Sequence, residues 1–205
     1  MTGPLPRAAD PALPSPELLL ELRHGEVAVL LEGLRILHLG SPALRLWYGV
    51  EAVDHVAAVL VAPSDREQAQ YRLAAAGFES AEPSESPVGL WNDPASPVAV
   101  PLRLSVEVPE VSVPPLAAFD LLWRHREPAR LAHTSTWVPD GATSAVLTLV
   151  GAGGGADLVA RLSRRDWALA ADVARSLGVL SALRDVVTAH GGGRIAAELL
   201  SGGEE

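Results

Sequence analysis

Leu37-His38-Leu39-Gly40-Ser41-Pro42-Ala43-Leu44-Arg45-Leu46-Trp47-Tyr48-Gly49-Val50, followed by the apolar segment from His55 to Val61, decides the fold. The pattern predicts a strand, a Gly-Ser turn, one short helix and a second strand. Leu34 to Leu39 reads as a strand by alternation and length. Ser41 is read as the N-cap and Pro42 as the first residue of a helix running to Tyr48. Val53 to Val61 is read as a buried strand. A Gly-Ser turn that opens a helix can hold a phosphate, because free backbone N–H groups point outward there. Gly40, Ser41 and the nearby Arg45 are therefore candidate phosphate- or nucleotide-binding residues. The plainer reading keeps Gly40-Ser41 as only the turn and cap that the helix needs.

Working outward, Pro4, Pro6, Pro11 and Pro14 exclude a helix from residues 1–14, which are expected to form a flexible or draped arm. Ser15-Pro16-Glu17 starts a helix that Gly25 is expected to end, with a second helical piece over Glu26 to Glu32. On the C-terminal side, Arg66 to Ala76 predicts a helix stopped by Gly77. Phe78 to Pro97 reads as irregular. Val98 to Val108 alternates as a third strand, and Pro101 places it at an edge or a bulge. After a linker, Pro109 to Pro115, the chain turns helical: Leu116 to Arg126, Ser144 to Val150, Asp157 to Leu162, then a helix opened by the capping box Ser163-Arg164-Arg165-Asp166 and ended at Gly178. Leu180 to Ala189 and Arg194 to Leu200 complete the series. The expected layout is an arm at 1–14, an α+β unit at 15–115, a helical unit at 116–200 and a tail at 201–205.

Composition narrows the function classes. The chain has 205 residues, net charge −9, no Cys and no Lys; all sixteen basic residues are Arg. Without Cys there are no disulfides, thiolate metal sites or cysteine nucleophiles. Without Lys there is no Schiff base and no P-loop lysine. An acidic chain with no basic run makes general nucleic-acid binding an unfavoured expectation. With no apolar run of ~18 residues and no secretory signal pattern, no membrane span is expected and the protein is read as cytoplasmic.

The order of motifs resembles the nucleotidyltransferase superfamily of the polymerase-beta type, and within it a bacterial branch with a C-terminal helical region. Leu39-Gly40-Ser41, then Ala43-Leu44-Arg45-Leu46-Trp47-Tyr48-Gly49-Val50, resembles the family's turn and A-L-x-L-x-x-G-V helix. The strand at His55 to Val61 and the helix closing at Ala76-Gly77-Phe78 follow in family order. Phe119 to His125, Ser144 to Gly155 and Asp166-Trp167 through Leu180 are similar in layout to the family's later segments. The resemblance covers roughly residues 15 to 190. It implies an α+β fold with a small nucleotidyltransferase-like mixed sheet, flanking helices and a following C-terminal helical bundle.

The resemblance also implies chemistry that these residues do not supply. Family enzymes hold Mg²⁺ on two carboxylates one residue apart on the second strand, usually with a third on the next strand. Here the segment is Glu51-Ala52-Val53-Asp54-His55-Val56-Ala57-Ala58. Asp54 is partnered by Val56, Glu51 by Val53, and a shifted register gives Val56 and Ala58. Pro101 to Leu104 carries no acid, and Glu107 lies beyond it. The preferred expectation is a degenerate, non-catalytic nucleotidyltransferase-like protein acting in binding, assembly or regulation, with no metal and no cofactor. The alternative is a nucleotidyltransferase with divergent ligands drawn from Glu51, Asp54 and Glu107, using Mg²⁺ and a nucleoside triphosphate to transfer NMP to a small molecule, protein or RNA. A third reading is a nucleotide or small-molecule binding module that keeps the Gly40-Ser41 pocket.

Other clusters have both a chemical and a structural reading. Asp54-His55 could act as a base or as a solvated strand start. His125 and His133, with Arg124, Arg126 and Arg130, could bind phosphate or form a polar face. The run from Gly151 to Asp157 resembles a dinucleotide loop but lacks the surrounding βαβ unit, so it reads as a helix connection. Gly191 to Gly193 reads as a helix stop. The five Trp residues are spread along the chain and are assigned to packing. An exposed apolar face on the helical half would suit self-association or a protein partner.

Overall fold

The computed structural model describes residues 14–50, 55–152 and 156–201. Almost all of the expected arm, both Glu51 and Asp54, the central glycines of the 151–157 run and most of the tail lie outside the described residues. The chain is a mixed α+β structure. Its elements begin α1 (Pro16–Leu30), β1 (Ile36–Leu39), α2 (Ser41–Tyr48), β2 (Ala57–Val61) and α3 (Arg66–Ala75). They continue with β3 (Glu79–Ser80), β4 (Val88–Asn92), β5 (Leu102–Ser105), α4 (Pro115–Arg124), β6 (Arg126–Leu131) and β7 (Thr134–Pro139). The C-terminal series is α5 (Gly141–Ala152), α6 (Ala156–Arg161), α7 (Arg164–Leu177), α8 (Leu180–Ala189) and α9 (Arg194–Ser201).

Five strands form a mixed sheet in the order β1-β2-β5-β4-β3, in which only β2 and β5 run parallel. Strand alternation divides the core. Leu37 and Leu60 point to one face and join Phe119, Leu122, Val146, Leu149, Trp167 and Leu177 from the C-terminal helices. Ile36, Val59, Val61, Leu102 and Leu104 point to the other and join Leu20, Val27 and Leu31 of α1 and Leu73 of α3. The helices after residue 115 thus complete the core of the sheet before it. Among the described residues no helix is long and apolar enough to cross a membrane.

Several local expectations hold. Ser15 accepts a hydrogen bond from the Leu18 amide at 3.2 Å and caps α1. The reciprocal capping box of Ser163 and Asp166 opens α7, and Gly178 closes it in the left-handed region at φ 72°. Gly77, at φ 95°, follows α3 as expected.

Others are corrected. Gly25 does not end the first helix: α1 runs through it to Leu30. The glycine is there for space, since a Cβ at this position would come within 2.6 Å of the Ala132 Cβ. The N-cap of α2 is Gly40, not Ser41; its φ of 80° and ψ of −139° suit a residue without a Cβ. The stretch expected to be irregular contains β3 and β4. β5 is an interior strand rather than an edge. Pro101 is tolerated because it sits one residue before the strand, where only its carbonyl is needed, accepting from the Ala57 amide at 2.8 Å. Inside the expected helical half lies a hairpin, β6–β7, which packs beside β1 and against α1.

Candidate functional site

The turn between β1 and α2 lies at the end of the sheet where β2 and β5 begin. Leu39 is opposite Ala58, and Ala58 is in register with Arg103 of β5. Because alternate residues share a face, Leu39, Ala58 and Arg103 form one lateral row beside Gly40. Val56 shares the parity of Ala58 and is half-buried. The row carries no carboxylate. Its one charged member, Arg103, is exposed.

The turn itself is largely spoken for. The Gly40 carbonyl accepts from the Ala43 amide at 3.1 Å and the Leu44 amide at 3.2 Å. Pro42 has no N–H. These three positions therefore offer no outward-pointing donors to a phosphate. Arg45, the third candidate, donates to Glu21 at 2.5 Å and joins α2 to α1. That guanidinium is the main reason the Glu21 carboxyl is held below its ordinary range; the Ala132 amide, donating to Glu21 at 3.2 Å, adds to it.

Among the described residues no candidate carboxylate lies at the turn. Glu51 and Asp54 lie outside the described residues, and His55 is exposed in a bend. Glu107 lies two residues beyond the opposite end of β5. There it lines a cleft of about 180 Å³ with Val108, Val111, Val113, Pro115 and Ala118. Among the described residues no three His, Asp or Glu side chains form a group that could hold a metal ion.

The His–Arg cluster is also dispersed. His125 Nδ1 lies 3.1 Å from Asp140, which in turn accepts from the Thr143 amide at 2.8 Å at the start of α5. Arg126 stacks between Trp123 and Trp137, 4.3 and 4.8 Å from the ring centroids. Arg130 and His133 sit at the other end of the hairpin. Of the glycine run, Gly151 and Ala152 end α5 and Ala156 and Asp157 begin α6, the residues between lying outside those described; Gly191, at φ 68°, follows α8.

His38 fits the core or edge role expected of it on the first strand, but no local pattern in the sequence marks the three polar arrangements that follow. Arg23 is 1% exposed and spans α1 and the segment before β5: it donates to the Val100 carbonyl at 2.9 Å, to the Val98 carbonyl and to Glu26 at 2.6 Å. His24 and His38 are buried with their Nδ1 atoms 2.8 Å apart. Tyr48 places its hydroxyl in a buried position, and burial, followed by the nearby Asp166 and Asp140, pushes its ionisation well up. Arg103 could have been flagged only by pairing β2 with β5, which no local pattern gives. No protein-family model matches the sequence, and a search of the curated proteins finds no match.

Proposed function

We propose that this chain is a non-catalytic protein on a nucleotidyltransferase-like core, acting through binding, assembly or regulation. The observation that carries the reading is the row Leu39–Ala58–Arg103 beside Gly40, where two-metal phosphoryl chemistry would require converging carboxylates. A guanidinium in that row repels a divalent cation instead of ligating it. The amides consumed at Ala43 and Leu44 add support, since they leave the turn a poor cradle for a triphosphate.

Arg103 also favours a second reading, metal-independent binding of an anionic small molecule, because an exposed guanidinium is suited to carboxylate or phosphate groups. One titration separates these from an enzyme. Thermal melting of the full chain is followed with ATP, GTP, CTP or UTP, with and without Mg²⁺ or Mn²⁺. The non-catalytic reading expects no shift that requires metal. A metal-dependent shift, or release of pyrophosphate, overturns it. A metal-independent shift that Arg103→Gln removes selects the anion-binding reading.

A further inference from the structure

Building on the anion-binding reading of Arg103, we propose that the open part of the sheet face around this residue binds a small monocarboxylic acid with an apolar body, the guanidinium taking the carboxylate and the row beside it the hydrocarbon. The site is made by register. Leu39 is opposite Ala58, Ala58 is level with Arg103, and Arg103 is opposite Leu90 of β4. Directly paired residues share a face. Leu39, Ala58, Arg103 and Leu90 therefore form one row across four of the five strands, with Arg103 on the central strand.

The C-terminal helices pack on this face but cover the next row, where Leu37, Leu60 and Ser105 are buried. In the Arg103 row, Leu39, Ala58 and Leu90 are only half-buried and Arg103 is exposed. Val56 and Pro101, two residues back from Ala58 and Arg103, keep the same parity and are also half-buried. Apolar surface thus flanks a charged side chain in the middle of the sheet. The charge has no partner: among the described residues the Arg103 side chain takes part in no ion pair or hydrogen bond. Glu82, on the chain reversal beside β4, accepts from the Leu90 amide. Arg45, the guanidinium of the neighbouring α2, is bound to Glu21.

Three features select the ligand. An unpaired guanidinium carries one positive charge and presents a planar fork of N–H groups, which a carboxylate meets with two parallel hydrogen bonds. The row holds no second cation, and the Ala43 and Leu44 amides of the turn are already bonded to the Gly40 carbonyl. Further negative charge on a ligand would find no donor here and would be repelled by a chain of net charge −9. The residues on either side of Arg103, Ala58 and Leu90, are apolar. Hydrocarbon laid on them leaves water favourably, whereas a sugar or a second phosphate would lose hydration without a partner. A monoanion whose remaining atoms are hydrocarbon, an aliphatic or aryl carboxylic acid, uses all three.

Titration of the full chain, without metal, tests this. Octanoate, acetate, octanol, inorganic phosphate and ATP are added in turn, and backbone amide shifts are followed at residues 57–61, 88–92 and 102–105. Octanoate is expected to shift these amides saturably. It should bind at least about tenfold more tightly than acetate, which lacks the body, or octanol, which lacks the charge. Arg103→Gln should weaken octanoate by at least about tenfold, the ratio expected for losing a charge-assisted pair, with amide dispersion unchanged. Octanoate binding equally to both proteins, or at other amides, overturns the proposal. So does acetate or octanol binding as tightly as octanoate, a comparison that needs only the wild-type chain. Phosphate or ATP binding as tightly as octanoate, and lost in Arg103→Gln, overturns the carboxylic-acid class while the anion-binding reading stands. If no anion shifts these amides, both fall.

Discussion

A guanidinium is buried at Arg23 because its planar fork meets the Val98 and Val100 carbonyls and Glu26 together, while its face lies 4.9 Å from the Phe78 ring centroid. Those carbonyls belong to a segment that no strand pairs, so their hydrogen bonds come from this side chain. Arg23→Met keeps apolar length but strands the buried acceptors. The expected cost is about 2–4 kcal/mol in urea unfolding, within the range for breaking a buried polar network. Arg23→Lys recovers only part, since an ammonium cannot reproduce the fork; equal stability of the Lys variant and wild type would contradict this assignment. Gly25, two residues on, makes the opposite point about side chains. Gly25→Ala gains about 1 kcal/mol of helix propensity, yet its Cβ meets Ala132 at 2.6 Å. Overpacking of that kind costs about 1–3 kcal/mol, so net destabilisation is expected, and a stabilised Gly25→Ala protein would mean that the hairpin tip yields freely.

At the scale of elements, the structure follows the sequence where a local device marks an end. Ser15 with Pro16, the Ser163–Asp166 box and Gly178 each fix a helix terminus through short-range geometry that a residue pattern carries. The pattern fails where a long-range contact overrides it. Gly25 looks like a helix stop because its partner, Ala132, is distant in the chain. Pro101 looks like an edge marker because its bonding to Ala57 is invisible locally. The β6–β7 hairpin is hidden by its turn: Ala132 and His133 adopt φ of 43° and 71°, conformations usually given to Asn or Gly. They are held there by the Glu21 carboxylate on the Ala132 amide and by the packing of Ala132 on Gly25. This strain should be removable. His133→Gly is expected to raise stability by about 1 kcal/mol, the usual cost of a left-handed conformation at a residue with a Cβ. A lowered chemical-denaturation midpoint would show instead that the imidazole contributes more through its proximity to Glu21 than its backbone costs. The site follows the same rule. The Gly-Ser turn and the missing acid at Ala58 are legible, whereas Arg103 and the His24–His38 pair depend on strand register and on helix-to-strand docking.

At the scale of the molecule, the expected split at residue 115 meets a core that crosses it. Leu37, Leu44 and Leu60, all buried, share one cluster with Phe119, Val146, Leu149 and Leu177. Full burial of three such leucines contributes roughly 5–9 kcal/mol at about 1.5–3 kcal/mol each, which is comparable to the whole stability of a typical domain. Hydrogen bonds cross as well: Arg161 donates to the Tyr48 carbonyl at 2.9 Å, and Trp47 donates to the Pro139 carbonyl at 3.0 Å. The two parts should therefore unfold together at neutral pH. The expected outcome is one urea transition with the same midpoint by far-ultraviolet dichroism, which weights the C-terminal helices, and by tryptophan fluorescence, to which Trp91 in the α1-side core contributes. A chain ending at residue 115 should lack the dispersed amide spectrum of a folded protein, because one face of its sheet is left bare. Separate midpoints in the full chain, or a well-dispersed spectrum from the shortened one, would show that the shared leucine layer does not couple the parts.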